Sequence, residues 1–269
     1  MYKVSFQGER GAYSEDAAIS FFKESIDTVP LATFSDVIES TQKNNTNYSV
    51  LPVENSLEGS VGESYDLLVS TSLTIVGEIY YRVKHCLIGF DGIDGVDTVY
   101  SHPQALGQCR KFIQDHKLKT IPAYDTAGSV KIIKELNKKN ISCIASKRAS
   151  EIYQVPIIKE GIEDNTSNYT RFLVLSKDPV NDGNKTSIIF SVKHEAGALF
   201  SILKEFNDFK VNLTKIESRP NKSTPWEYNF YMDFDGTKEA SRIKDLLEKI
   251  KQRTLFLKVL GSYKKAQMV

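Results

Sequence analysis

Asn168-Tyr169-Thr170-Arg171-Phe172 sets an amide, a hydroxyl and a guanidinium at the mouth of Leu173-Val174-Leu175, a run that reads as a buried strand. An unpaired guanidinium is costly to bury, so an anionic neighbour is expected. Taken alone, an internal carboxylate such as Glu54 fills that place more readily than a ligand. Other polar strings offer a cleft lining. Gly8-Glu9-Arg10-Gly11 precedes Tyr13-Ser14-Glu15 at a helix start, where glycines permit close backbone approach and free N–H groups favour anions. By themselves those glycines are better explained by an ordinary turn. Asn55 and Ser56, after Pro52-Val53-Glu54, either cap a helix or aim donors into the cleft. Ser101-His102-Pro103-Gln104 joins a residue of near-neutral reference pKa to a proline that opens a helix. Its other reading is a cap histidine without chemistry. Thr126 and Ser146 repeat the theme of a hydroxyl where a strand gives way to a helix. There is no GxSxG elbow and no GxxxxGK[ST] loop, so triad hydrolysis and P-loop chemistry lack support.

Alternating strands and helices must position these strings. Lys3 to Phe6, Tyr48 to Leu51, Asp97 to Tyr100 and Ile141 to Ala145 read as strands. Helical patterns follow them at Ser14 to Phe22, Val61 to Val69, Pro103 to Ile113 and Lys147 to Tyr153, which predicts α/β architecture with mostly parallel sheets. Residues 178–185 form a polar linker carrying both proline and glycine. Beyond it, strands at Thr186 to Val192, Val211 to Glu217, Trp226 to Phe234 and Thr254 to Gly261, with helices at Ala196 to Phe206 and Lys238 to Ile250, spell a ferredoxin-like βαββαβ unit. The expected division is a catalytic or binding domain over 1–177 and a small module over 186–269.

Composition narrows the function further. The 269 residues include 35 Lys+Arg against 34 Asp+Glu, a formal charge of +1, so no global field attracts nucleic acid. The lysines from Lys131 to Lys139 fall at helical spacing with apolar residues, as on a solvated helix face. No apolar run approaches the ~18 residues of a membrane span, and the first residues do not form a signal segment. Cys86, Cys109 and Cys143 lie far apart, and His85, His102, His116 and His194 show no ligand spacing. A reduced, metal-free, cytoplasmic protein is expected.

Together the motifs resemble those of prephenate dehydratases. Gly8-x-x-Gly11-x-Tyr13-Ser14-Glu15, Pro52-Val53-Glu54-Asn55-Ser56-x-x-Gly59, Ser101-His102-Pro103-Gln104-Ala105-Leu106 and Asn168-x-Thr170-Arg171-Phe172 stand in that family's order. Gly197-Ala198-Leu199 and Glu217-Ser218-Arg219-Pro220 resemble two motifs of its ACT regulatory domain. The resemblance spans nearly the whole chain; Ala12, Gly128-Ser129 and Ser150 depart from the usual pattern. It implies two lobes around a cleft, as in periplasmic binding proteins; with the first strand entered at residue 2, no chorismate mutase domain is expected ahead of them. It also implies conversion of prephenate to phenylpyruvate, water and carbon dioxide without cofactor or metal.

In that reading Thr170 donates a hydrogen bond to the departing hydroxyl, with His102 or water behind it. Arg171 clamps the side-chain carboxylate, and Phe172 completes the motif. Asn55, Ser56, Ser101 and Gln104 serve the ring carboxylate, whose charge vanishes in the transition state. Period two sets Thr170 and Arg171 on opposite strand faces, so both reaching one cleft demands a bend. The ACT module is expected to bind L-phenylalanine as feedback inhibitor through Gly197, Ala198, Leu199, Asn212, Leu213, Glu217, Ser218, Arg219 and Pro220. It is also expected to pair subunits into a dimer or tetramer. Arogenate dehydratase is the near alternative. A non-catalytic small-anion receptor and an amino-acid-sensing regulator are the distant ones.

Overall fold

A computed structural model describes residues 1–267 apart from Asn181, Ser223 and Pro225; Asn181 belongs to the expected linker and lies outside the described residues. The first lobe opens with β1 (Lys3–Gln7), α1 (Tyr13–Phe22), β2 (Asp27–Leu31) and α2 (Phe34–Gln42), followed by β3 (Tyr48–Asn55), β4 (Gly59–Ser60), α3 (Gly62–Ser70) and β5 (Thr74–Arg82). The chain then crosses to a second lobe. That lobe holds β6 (Cys86–Gly89), β7 (Thr98–Ser101), α4 (Pro103–Gln108), α5 (Arg110–Asp115), β8 (Lys119–Pro122), α6 (Thr126–Leu136), β9 (Ile141–Ala145), α7 (Lys147–Tyr153) and β10 (Ile157–Glu160). A second crossing returns it to the first lobe as β11 (Tyr169–Ser176). The third unit comprises β12 (Lys185–Ser191), α8 (Ala198–Asp208), β13 (Leu213–Pro220), β14 (Tyr228–Asp235), α9 (Ser241–Arg253) and β15 (Phe256–Tyr263).

The lobes carry separate sheets, ordered β2-β1-β3-β11-β5 and β10-β6-β9-β7-β8. Both sheets are mixed, which corrects the expectation of mostly parallel pairing. β1 runs parallel to β2 and β3, but β11 runs antiparallel to β3 and β5. β7 runs parallel to β8 and β9, whereas β6 opposes β9 and β10. The strands that carry the chain out of one lobe and back supply the antiparallel pairs, because a returning strand runs opposite to the one that left. The third sheet is antiparallel in the order β13-β14-β12-β15, as a βαββαβ unit requires.

Two further differences have local causes. The helix predicted over Pro103 to Ile113 is broken at the buried Cys109, whose backbone leaves helical geometry. The Gln108 carbonyl just before it accepts from the Asp164 backbone N–H at 2.8 Å instead of continuing the helical ladder. The third unit also shares a core with the first lobe. Ile189, Tyr231, Leu260 and Tyr263 pack with Leu51, Val53, Tyr65, Leu68, Ile75 and Leu173. Gly261 permits the close approach: a Cβ there would stand 2.2 Å from the Ile75 carbonyl oxygen. No helix among the described residues is long and apolar enough to cross a membrane.

Candidate active site

A cleft of about 410 Å³ lies between the two lobes. The start of α1, the end of β3 and the start of β11 line it from the first lobe; α4 and the start of α6 line it from the second. Thr170 faces this space from the first turn of pleat in β11. Register explains its nearest partner: Thr170 sits opposite Asn55 across the β11–β3 pair, and Asn55 Nδ2 donates to Thr170 Oγ1 at 3.0 Å. Among the described residues no acceptor takes the Thr170 hydroxyl proton, which is free to be donated into the cleft.

Asn55 is buried, and its Oδ1 accepts the backbone N–H groups of Leu57 and Glu58 at 2.9 and 3.0 Å. His102 caps α4 and accepts from the Gln104 N–H through Nδ1 at 3.3 Å; both residues line the cleft. Thr170, Asn55, His102 and Gln104 are therefore brought together as expected.

Four other expected residues stand elsewhere. Ser101 is fully buried and donates to the Ile144 carbonyl at 2.6 Å, so its hydroxyl ties β7 to β9. Ser56 stitches the turn after β3 to the second crossing, accepting from Tyr169 N–H and donating to the Ser167 carbonyl, each at 2.9 Å. Phe172 lies in the core beneath α1 with Val4, Ala17, Val50 and Val174. Arg171 corrects the largest expectation. It points through the sheet, away from the cleft, as strand alternation dictates.

The partner of Arg171 is internal but is not Glu54, which pairs with Lys215 at 2.8 Å. Arg171 meets Glu78 of β5 at 2.7 Å and Asp233 of β14 at 2.7 Å, and donates to the Tyr263 hydroxyl at 3.1 Å. Lys185 adds a second cation, 2.8 Å from Glu78 and 3.6 Å from Asp233. Burial opposes ionisation of Asp233, yet Arg171 and Lys185 outweigh it and hold its carboxyl below the usual range. Two cations and two carboxylates thus balance at a buried seam between the first lobe and the third unit.

Sequence reasoning named Tyr13 and Ser14 as part of a helix-opening string but passed over His85, Gln108 and Asp125, and all five line the cleft. His85 lies on the first crossing, just before the buried run of β6, and that apolar run was its only signal. Its Nδ1 is 2.9 Å from the Tyr13 hydroxyl and its Nε2 is 2.9 Å from Gln108 Oε1. Burial lowers the His85 pKa, although the bond to Gln108 and the charge of Glu163 oppose the shift. Burial likewise raises Tyr13 well above the ordinary phenol value. Asp125 caps α6 through Gly128 N–H, and burial raises its pKa against that bond. No Lys or Arg lines the cleft among the described residues. Neutral donors and the N–H groups opening α1 and α6 are what it offers an anion.

In the third unit, Gly197 takes a left-handed conformation (φ 83°) that opens α8, so Ala198 and Leu199 form the first helical residues. Asn212 donates to Asp235 at 2.9 Å, just before Leu213 enters β13. Along β13 Glu217 and Arg219 are half-buried while Ser218 and Pro220 are exposed on the other face. Arg219 covers Gly62 at the start of α3 and lies 3.6 Å from Asp66, so it docks the unit onto the first lobe. Among the described residues no hydrogen bond or ion pair joins the Gly197 segment to the Glu217–Pro220 segment.

Two α/β lobes enclose a polar cleft bordered by helix N-termini, and a βαββαβ module packs against the first of them. The chain belongs to the prephenate dehydratase family, carbon–oxygen lyases, whose model matches residues 4–180, and residues 186–252 match the ACT domain. It is 38% identical to a bifunctional chorismate mutase/prephenate dehydratase of Aquifex aeolicus over 98% of this chain and 74% of that one. It is also 38% identical to an Arabidopsis thaliana chloroplastic protein named arogenate dehydratase/prephenate dehydratase 2, over 97% and 72%. Among solved structures, a prephenate dehydratase from Arthrobacter aurescens in complex with L-Phe is similar at TM-score 0.89 and 25% identity, covering 98% of this chain and 90% of that one. A structure described as GqqA, a novel type of quorum quenching acylase, is similar at 0.90 and 30%, covering 98% of each.

Proposed function

We propose that Thr170 is the hydrogen-bond donor to the departing hydroxyl as this enzyme converts prephenate to phenylpyruvate, carbon dioxide and water. One observation carries the reading: Thr170 Oγ1 accepts from Asn55 Nδ2 at 3.0 Å, which leaves its own proton for the cleft. The ring–carboxylate bond breaks and its electron pair enters the diene. The carbon–hydroxyl bond at the opposite ring carbon breaks with its pair on oxygen, and one proton completes the water. Hydroxide leaves poorly, so a donor at that oxygen lowers the barrier, while aromatisation supplies the driving force.

With Arg171 turned away and both Asn55 Nδ2 protons engaged by Thr170 and Asn168, we assign the substrate carboxylates to Gln104, His102 and the N–H groups that open α1. A weak hold on the ring carboxylate favours its loss of charge. The bond from Asn55 also engages a Thr170 lone pair, which suits a donor better than the acyl-accepting nucleophile that acylase chemistry needs.

Residues 1–177 are assigned as the catalytic domain and 186–269 as the regulatory domain, joined by 178–185. L-phenylalanine, held at Gly197–Leu199 and along β13, is proposed to lower turnover in a cytoplasmic homo-oligomer. The similar structure in complex with L-Phe supports the effector. Arogenate differs from prephenate only in its side-chain amino group, so both acids belong in the assay. Pure protein is incubated with each, with and without phenylalanine, and aromatic product is followed. Prephenate turnover that falls by about 10²-fold or more in Thr170→Ala is expected. Near-normal turnover in that variant removes Thr170 from the chemistry, and a rate indifferent to phenylalanine removes the regulatory assignment.

A further inference from the structure

A string of hydrogen bonds runs beneath the cleft from Tyr13 to Thr170, and its direction follows from one end. Asn55 Oδ1 accepts two backbone N–H groups, so the Asn55 amide must present Nδ2 to Thr170 and to Asn168 Oδ1, at 3.0 and 2.8 Å. Asn168 consequently donates Nδ2 to Gln108 Oε1 at 2.9 Å. The same Gln108 oxygen lies 2.9 Å from His85 Nε2, which must therefore carry the ring proton. His85 Nδ1 is left bare as an acceptor for the Tyr13 hydroxyl at 2.9 Å, whose proton it shares with the Lys84 carbonyl at 3.0 Å. Asn55, Asn168, Gln108 and His85 are all buried, so a broken link strands a polar group at a cost.

The string also spans the hinge. Asn55 and Thr170 belong to the first lobe, Gln108 closes α4 of the second, and His85 and Asn168 sit on the two crossings. We propose that Gln108, Asn168 and His85 are positioning residues for Thr170. They hold the Asn55 amide so that it fills one Thr170 lone pair and turns the Thr170 hydroxyl proton into the cleft. Because Gln108 comes from the opposite lobe, the donor is aimed only while the lobes stand together. The inference rests on Thr170 being the donor, as proposed above, and it names what orients that donor.

The test compares steady-state prephenate kinetics of the full-length protein with Gln108→Leu and Gln108→Glu, and reads the His85 tautomer by 15N NMR in the wild type. Gln108→Leu removes the shared oxygen; Gln108→Glu keeps an acceptor for both His85 and Asn168. The expected result is a kcat lower by about 10- to 10²-fold in Gln108→Leu, with KM within about twofold, and substantial recovery in Gln108→Glu. His85 is expected as the Nε2–H tautomer. A KM that rises in step with the loss overturns the proposal, since Gln108 would then hold substrate directly. Unchanged kcat, an equal loss in Gln108→Glu, or an Nδ1–H tautomer overturns it as well. The tautomer needs no variant to fold. Wild-type protein that leaves prephenate and arogenate untouched sinks the parent reading, and is recognised by its independence of any substitution.

Discussion

His85 carries a consequence for stability that is separate from catalysis. Its backbone N–H donates to Glu163 Oε2 at 3.0 Å, its ring lies between Tyr13 and Gln108, and burial lowers its pKa. In the unfolded chain the imidazole titrates at its ordinary value of about 6.5. Above that pH neither state binds the proton and folding is unaffected. As pH falls below it, the unfolded chain takes a proton that the folded protein refuses, so stability declines until the lowered folded pKa is passed. Thermal melts of wild type and His85→Gln between about pH 7.5 and pH 5 should therefore differ in slope. The wild-type Tm is expected to fall more steeply. Parallel lines would show that His85 does not keep its neutral form on folding.

At the scale of elements, β11 separates two tasks by alternation. Thr170 faces the cleft and Arg171 faces the third unit, with Glu78 arriving from β5 and Asp233 from β14. Arg171→Met leaves Lys185 alone against two buried carboxylates, and removing one partner of such a cluster costs about 3–5 kcal/mol. Arg171→Met with Glu78→Gln restores one cation to one carboxylate, so the double variant should be more stable than the single one. Urea unfolding midpoints check this; a double variant less stable than Arg171→Met would show that Glu78 is held by other groups. The period-two argument made the opposed faces of Thr170 and Arg171 legible in the sequence, and the motif order made the cleft residues Asn55, His102 and Gln104 legible. The partners of Arg171 were not, because they depend on which strands flank β11. Glu78 lies about 90 residues away in β5 and Asp233 about 60 residues beyond in another sheet, and no local pattern encodes that pairing. His85 escaped for a related reason: a lone histidine before an apolar run shows that it is interior, but not which lobe's glutamine it meets.

For the whole molecule, the unit that follows the 178–185 segment does not pack independently of the first lobe. Ile189, Tyr231, Leu260 and Tyr263 complete the core of the first lobe, and Tyr231 donates to the Tyr65 carbonyl of α3 at 2.5 Å. Lys258 caps the other end of α3 through the carbonyls of Leu68 and Val69, each at 3.1 Å, while Arg219 covers its start at Gly62. Val61, just before α3, lines the cleft, so this helix links the third unit to the site. Burying a large apolar side chain contributes about 1.5–3 kcal/mol, so losing these four removes on the order of 6–12 kcal/mol. A domain's entire stability is about 5–15 kcal/mol. A chain truncated after Lys177 is therefore expected to lose its cooperative melt, with Glu78 and Arg171 exposed at the bared face, whereas the intact protein should unfold in one calorimetric transition. Two resolved transitions, or a truncated form melting cooperatively near the wild-type Tm, would show that the lobes stand without the third unit. The same arithmetic makes deletion a poor probe of effector control, because catalysis would fall with the fold. Point changes on the exposed face of β13, where Ser218 and Pro220 contact no part of the first lobe's core, separate regulation from stability.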